Sequence, residues 1–570
     1  MNNKINYNTP IPNLEIGSII EVDGTHIIAE LDPKITELTR VYGGVIYPIG
    51  QFGSILKIHY GARLIFGYVG RLRMKSEYEK EKGFIQESSS TARVIEADLF
   101  GEGEWIYDAQ EDKRELRFER GVTTFPLPKQ KIYLTPRSEL GFIYGQGIRP
   151  VILIGEHVGS EGTPCYADMN ELLGKHTAIL GSTGSGKSGT VAAILHAIIE
   201  KKSQPEYKQW NPQIVILDPH NEYGQAFPTH LRLCTDEKSL ILPYWLLNLH
   251  ETIGLLIGKT EYVATSQANI LKTALLLSRQ EASDSLGIDK EAITVDSPIP
   301  YPIERLKYHI DNSTNKPSQA SRQDSWNSIL NKLEVLRNDS RLNFMMKDWD
   351  GKGDLFAKIL LQFIGSKDPI RIVDLSGVPN EVAGAASSAI SRTLFSFKLW
   401  QTSKEREENP ILLVCEEAHR YVPNRGEAQY EAAQDAIRRL AKEGRKYGIG
   451  LMLVSQRPSE VESTVLSQCN SWIVLRITND SDRAHVQGIL PDSLAGLTKV
   501  LSGLRQREAI FVGQAAVLPS RILIRDLIRD KKPLPRSHDI DFDKGWRSKP
   551  ISEDHIQKVA SRWRLQNRDI

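Results

Sequence analysis

The sequence predicts an α/β protein with a parallel sheet, preceded by a small N-terminal β-barrel, on three observations. A strand, a Gly-rich turn and a helix succeed one another in HTAILGSTGSGKSGTVAAILHAIIE, from His176 to Glu200. Further apolar runs, IVILDP, PIRIVDLSG, ILLVC and LMLVS, are separated by helical patterns, as a parallel α/β sheet requires. Between Gly17 and Met74, short β-rich runs such as GSIIEVDGTHIIAEL and GQFGSILKIHYGARLIFGYVGRL are broken by Gly, the texture of twisted strands closing on themselves.

In chain order, residues 1–150 are expected to hold the barrel and a β-rich extension, TARVIEADLFGEGEWI and KIYLTP, in which no chemistry is legible. Residues 151–530 form the α/β core. Within it, about 238–365 is helical in pattern, with TEYVATSQANILKTALLLSRQEA and SWNSILNKLEVLRND, and reads as an insertion. Residues 531–570, charged and Pro-bearing in RDKKPLPRSHDIDFDKGW and then helical from Ser552 to Gln566, read as a tail that packs on a neighbour.

Composition sets the limits. A chain of 570 residues, 40% hydrophobic and 25% charged, has room for two to four soluble domains. Its formal charge of +1 means that a nucleic-acid surface would have to be a local concentration of Lys and Arg. The cysteines Cys165, Cys234, Cys415 and Cys469 have no C-x-x-C spacing, which argues against zinc and against a disulfide framework. The start, MNNKINYNTPIPNLEIG, has no apolar core, and no run approaches 18 apolar residues. The expectation is a cytoplasmic protein without membrane spans.

The most specific signal is Gly181, Gly186, Lys187 and Ser188 in the pattern G-x-x-x-x-G-K-[ST], with an apolar strand before it and a helix after it. Glycines let the backbone N–H groups of Gly181, Ser182, Thr183, Gly184, Ser185, Gly186 and Gly189 turn towards a phosphate. Lys187 reaches the β- and γ-phosphates, and the Ser188 hydroxyl is placed to ligate Mg²⁺. ATP with Mg²⁺ is the ligand expected.

ILLVCEEAHRYVP, Ile411 to Pro423, is an apolar strand ending on two adjacent carboxylates. Like charges repel, so a cation or a proton-transfer task is needed to reward the pair; an exposed strand end is the alternative. Beside a nucleoside triphosphate, Glu416 would face Mg²⁺ through a metal-bound water and Glu417 would polarise the attacking water. A second strand, IVILDPHNEYG, ends in Asp218, His220 and Glu222, which would share a face if the strand continued. A second acidic element on the phosphate site, a structural turn and a metal-hydrolase pair are the readings open there. Downstream, LAKEGRKYGIGLMLVSQRPSEV carries Arg438, Arg439, Lys442, Arg445 and Lys446 on a helix, then a strand tipped by Gln456. The basic cluster is a solvated helix face, a DNA contact or an arginine finger.

ILGSTGSGKS, DPHNEY, CEEAHRYVP and EGRKYGIGLMLVSQRPSEV, in this order, resemble the HerA family of hexameric DNA-translocating ATPases, relatives of the FtsK motors. GSIIEVDG and GQFGSILKIHYG resemble that family's N-terminal HAS barrel. The resemblance spans most of residues 13–525 and implies a RecA-like P-loop ATPase domain. It assigns Asp218 and Glu222 to a second acidic motif, Glu416 and Glu417 to Mg²⁺ and water, and Gln456 to sensing. It makes Arg445 a finger acting on the adjacent subunit and gives Lys175 a similar trans-acting place. Asn221, where many relatives have Gly, and Glu416, where Asp is commoner, depart from the family pattern.

The resemblance further implies a homohexamer on double-stranded or forked DNA, working with a partner that docks on the barrel. That partner is a NurA-type nuclease in DNA-end processing, or a sirtuin-like NAD-consuming enzyme or other nuclease-like effector in anti-phage operons. The competing reading is an ATP-dependent ring scaffold that activates an effector without translocating DNA. A conjugation-type coupling ATPase is disfavoured by the lack of membrane spans.

Overall fold

The computed structural model describes residues 9–565 except 52, 84–90, 109–112, 145–149, 159–161, 236–237, 258–264, 313–319, 366–367, 425–430, 491–499, 538–539 and 548–550. The expected start of one helix, residues 260–264, and Gln566 lie outside the described residues. Two units are distinguished: residues up to 172 with 181–186 and 471–526, and residues 173–180, 187–470 and 527 onwards.

The first unit begins with nine strands: β1 (Glu15–Asp23), β2 (His26–Leu31), β3 (Thr39–Tyr42), β4 (Val45–Pro48), β5 (Ile55–Tyr60), β6 (Arg63–Met74), β7 (Arg93–Asp108), β8 (Lys113–Arg120) and β9 (Lys131–Leu134). Six of them close as a barrel in the order β1-β2-β7-β6-β5-β9, while β3 and β4 pair as a separate hairpin. Closure needs curvature, and register shifts between Ile19 and Glu21 in β1 and at two places along β6 and β7 provide it. Where β1 crosses β2 the backbones almost touch, so that a Cβ on Gly17 would stand 2.1 Å from the Glu30 carbonyl oxygen. Alternate residues of the six strands, among them Ile16, Ile27, Leu56, Ile58, Ile65, Ile95 and Ile132, fill the interior. Beside this core lies a buried ion pair, with Lys57 Nζ donating to both oxygens of Glu139 at 2.6 and 2.8 Å.

The later strands are β10 (Val151–His157), β11 (Pro164–Asp168), β12 (Thr177–Leu180), β13 (Gln213–Asp218), β14 (Leu231–Cys234), β15 (Ile370–Asp374), β16 (Ile411–Cys415), β17 (Ile449–Ser455), β18 (Ser471–Leu475), β19 (Glu508–Gly513) and β20 (Ser520–Ile524). In the first unit β11, β10, β20, β19 and β18 run antiparallel in that order. In the second unit β12, β17, β16, β13, β15 and β14 are parallel in that order. Every residue of β12, β13, β15, β16 and β17 is buried, which is why these strands read as unbroken apolar runs rather than alternations. The pattern of parallel strands is thus as the sequence predicts, whereas the antiparallel strands and the four-residue, half-buried β14 were not foreseen. Between β14 and β15 the described chain is mostly helical, including Leu249–Leu256, Thr265–Ser283, Ile303–Asp311 and Phe356–Phe363. Among the described residues no helix is long and apolar enough to cross a membrane.

Candidate active site

Parallel strands present all their carboxyl ends at one edge, where α/β sheets bind ligands. In the second unit that edge gathers Lys187 beyond β12, Gln456 beyond β17, Glu416 and Glu417 beyond β16, and Asp218 closing β13.

Between β12 and the helix Lys187–Glu200, the chain passes through Gly181 to Gly186. Gly184 and Gly186 have φ of 73° and 102°, a region closed to most L-residues, and a Cβ on Gly181 would lie 2.6 Å from Ser185 Oγ. Thr183 and Gly184 are exposed at the tip, with Ser182 half-buried, while Ser185 is buried and its hydroxyl has no hydrogen-bond partner among the described residues. Lys187, the first residue of the helix, is buried; Ser188 and Gly189 are half-buried.

β13 stops at Asp218, so Asp218, His220 and Glu222 do not share a strand face, in contrast to the alternation expected from sequence. The chain turns instead, with Asn221 at φ 55°, and Asn tolerates that left-handed region where most residues do not. Fully buried Asp218 holds the turn: Oδ1 accepts from the His220 N–H at 3.2 Å, and Oδ2 from the N–H groups of Glu222 at 2.8 Å and Tyr223 at 3.0 Å. Burial pushes the Asp218 carboxyl up to about 6. The turn presents two side chains: Glu222 Oε2 accepts from the Ser188 hydroxyl at 2.6 Å, and the Tyr223 hydroxyl donates to Glu416 Oε2 at 2.6 Å.

Glu416 and Glu417 are 2% and 6% exposed, which rules out the solvated strand end. Glu417 adopts φ 52°, ψ 54°, a costly conformation for a non-Gly residue of the kind that clusters at functional sites. Its carboxylate receives the Gln456 backbone N–H, and Lys187 and Arg420 attract it. Its Oε2 is buried and accepts no hydrogen bond among the described residues. His419 Nδ1 lies 3.3 Å from that oxygen, but burial holds the imidazole at about 4, so it is neutral and forms no ion pair. Burial raises both glutamates above the usual carboxylate range, and Lys187 opposes the rise in each.

The geometry fits Mg²⁺. Among the described residues no group of three His, Cys, Asp or Glu could hold a metal ion by itself. Ser188 supplies a hard oxygen, and its hydroxyl donates to the Glu222 carboxylate at 2.6 Å, which places a second hard donor beside it. Ser188, with the Glu222 carboxylate beside it, would hold the ion, whose positive charge would favour developing negative charge on a phosphate. The chain's own residues place one carboxylate, Glu417, with an unused oxygen for a water proton, beside the lysine that follows the Gly-rich loop.

Lys175 and Arg445 lie elsewhere. Lys175, half-buried, precedes β12, and exposed Arg445 precedes β17, so both stand at the amino edge of the strands. Adjacent to them, His176 Nδ1 accepts from the Leu451 N–H at 3.0 Å and feels the charge of Arg445. β17 is seven residues long, on the order of 20 Å, too far for either cation to reach Glu417 of its own chain. Tyr223 closes the DPHNEY run, but no role is assigned to it from the sequence.

Residues 152–394 match the family profile of the HerA helicase central domain. This segment is similar to the central domain of HerA helicases. The chain is 27% identical over 416 residues to the probable helicase MJECL08 of Methanocaldococcus jannaschii, covering 70% of this chain and 74% of the relative. It is 27% identical over 461 residues to the DNA double-strand break repair helicase HerA of Pyrococcus furiosus, covering 74% and 73%. Among solved structures, VirB4 of Thermoanaerobacter pseudethanolicus aligns with 68% of this chain and 99% of its own, with TM-score 0.47 and 17% identity.

Proposed function

We propose that this HerA-type P-loop ATPase is an ATP-driven DNA translocase or helicase. The observation that carries the reading is Glu417: buried, left-handed, attracted by Lys187 and with one oxygen free for a water. Lys187 and Ser188 hold the phosphates and Mg²⁺, Glu417 activates the water, and Gln456, at the tip of the neighbouring strand, senses the γ-phosphate. Glu222 and Glu416 complete the acidic lining, and Asp218 holds the turn that carries Glu222. The similarity to a protein named as a double-strand break repair helicase supports DNA as the substrate.

Arg445 and Lys175 act on the neighbouring subunit's nucleotide, which makes the working form a ring, a homohexamer in the cytoplasm. Residues 1–150 form a HAS-like barrel that docks an effector, of nuclease or NAD-consuming type, in DNA-end processing or anti-phage defence. Residues 151–530 are the motor core with its insertion at 238–365, and residues 531–570 are the tail.

Turnover of ATP measured with and without duplex or forked DNA over a salt series tests the reading. A motor is stimulated by DNA, and the stimulation falls steeply with salt, because neutralising phosphates releases counterions. Turnover indifferent to DNA, in a ring that nucleotide merely stabilises, would overturn translocation in favour of a scaffold.

A further inference from the structure

The sequence pattern pairs Ser188 and Glu416 as the metal-side groups, but the structure joins neither to the other. Ser188 donates to Glu222, and Glu416 receives Tyr223, the next residue along the chain. Both contacts therefore issue from one short turn. That turn is fixed from within by three N–H groups on the Asp218 carboxylate, and by the Arg536 N–H donating to the Glu222 carbonyl at 2.8 Å. Asp218 spends its oxygens on backbone amides and is a brace rather than a metal-facing group. Tyr223 is fully buried, so no water can replace its hydroxyl on Glu416.

We propose that Tyr223 is a positioning residue for Glu416 and that Glu222 is the carboxylate facing the metal beside Ser188, so that the 218–223 turn sets both groups at once. The inference rests on the ATPase reading of the site and deepens it. A hydroxyl that ligates a cation through its lone pair still has its hydrogen to place, and Glu222 already takes it. Glu416, one residue from the water-activating Glu417, needs a fixed carboxylate, and Tyr223 holds one of its oxygens where a lone buried glutamate would be free to change rotamer.

The test is binding of a fluorescent ATP analogue to the full chain, titrated in EDTA and then over a Mg²⁺ series. Tyr223→Phe keeps the ring and loses only the hydroxyl. It should bind the analogue in EDTA within about twofold of wild type and need about 10- to 100-fold more Mg²⁺ for the metal-dependent tightening, as loss of an outer-shell partner does. Glu222→Gln should bind in EDTA and lose most of the tightening. A Tyr223→Phe protein with a lowered melting temperature and a wild-type Mg²⁺ midpoint would show that the hydroxyl is structural and overturn the proposal. So would Glu222→Gln with wild-type tightening, the decisive variant if Tyr223→Phe does not fold. If wild type binds the analogue with Mg²⁺ yet hydrolyses no ATP, the proposed function fails while these shifts still decide the turn.

Discussion

Arg445 and Glu417 stand at opposite edges of the same parallel strands, Arg445 before β17 begins and Glu417 after β16 ends. A guanidinium so placed meets transition-state charge only if another chain brings it there. The proposed ring would bring it from the next subunit.

Glu417→Gln keeps the shape of the side chain and removes the proposed base. Nucleotide binding should persist while turnover falls by roughly two or more orders of magnitude, as loss of a general base does. Removing one of several buried negative charges should also leave the ligand-free protein melting no lower than wild type. Single-turnover kinetics with a melting curve checks both, and wild-type turnover would reject the assignment.

Lys187→Ala should behave differently. Without the lysine, Glu416 and Glu417 lose the cation that opposes their neutralisation, and the phosphates would lose the contact proposed for it. Equilibrium binding should weaken by about 100-fold, on the scale of about 3 kcal/mol for a lost charged hydrogen bond. Binding unchanged from wild type would remove Lys187 from the phosphates.

The buried pair in the first unit gives a stability test remote from the strand-end carboxylates. Lys57→Met leaves Glu139 buried without its partner and should cost about 3–5 kcal/mol, whereas Lys57→Met with Glu139→Leu should recover most of the loss. Chemical denaturation of wild type, Lys57→Met, Glu139→Leu and the double variant measures it. An additive double variant would show that the two side chains are not coupled.

His176 predicts a pH dependence. Burial lowers its folded-state pKa to about 4 from 6.5, so the folded protein keeps it neutral where the unfolded chain binds a proton. Stability should therefore rise with pH between 4 and 6.5 and be fully present above 6.5. His157, lowered to about 3, contributes with the same sign. His176→Asn retains an acceptor near the Nδ1 position and suits the left-handed backbone, φ 58°. Its melting midpoint should depend less on pH in that window, and an unchanged slope would assign the dependence elsewhere.

The Gly-rich loop and the strand-end carboxylates were legible because their spacing is local: a few residues fix the loop, and an apolar strand fixes where Glu416 and Glu417 emerge. The barrel was legible as texture, though its strand order, with β2 on β7 and β9 on β1, joins segments far apart in sequence. The turn after β13 was not. Its geometry depends on Asp218 capturing three amides and on Asn221 turning left-handed, and neither follows from alternation along a strand. The Tyr223 to Glu416 contact links two parts of the chain 193 residues apart, which no local pattern records.

The central claim is a site completed between subunits, and mixing two inactive proteins tests it most directly. Arg445→Ala should fold, bind ATP and assemble yet hydrolyse poorly, and Glu417→Gln should bind and not turn over. In a mixed ring some interfaces pair an intact Glu417 with an intact Arg445 from the next subunit, so ATPase activity should partly recover, in proportion to such interfaces. Subunit exchange demonstrated by energy transfer between labelled chains, with no recovery of turnover at any ratio, would contradict the account.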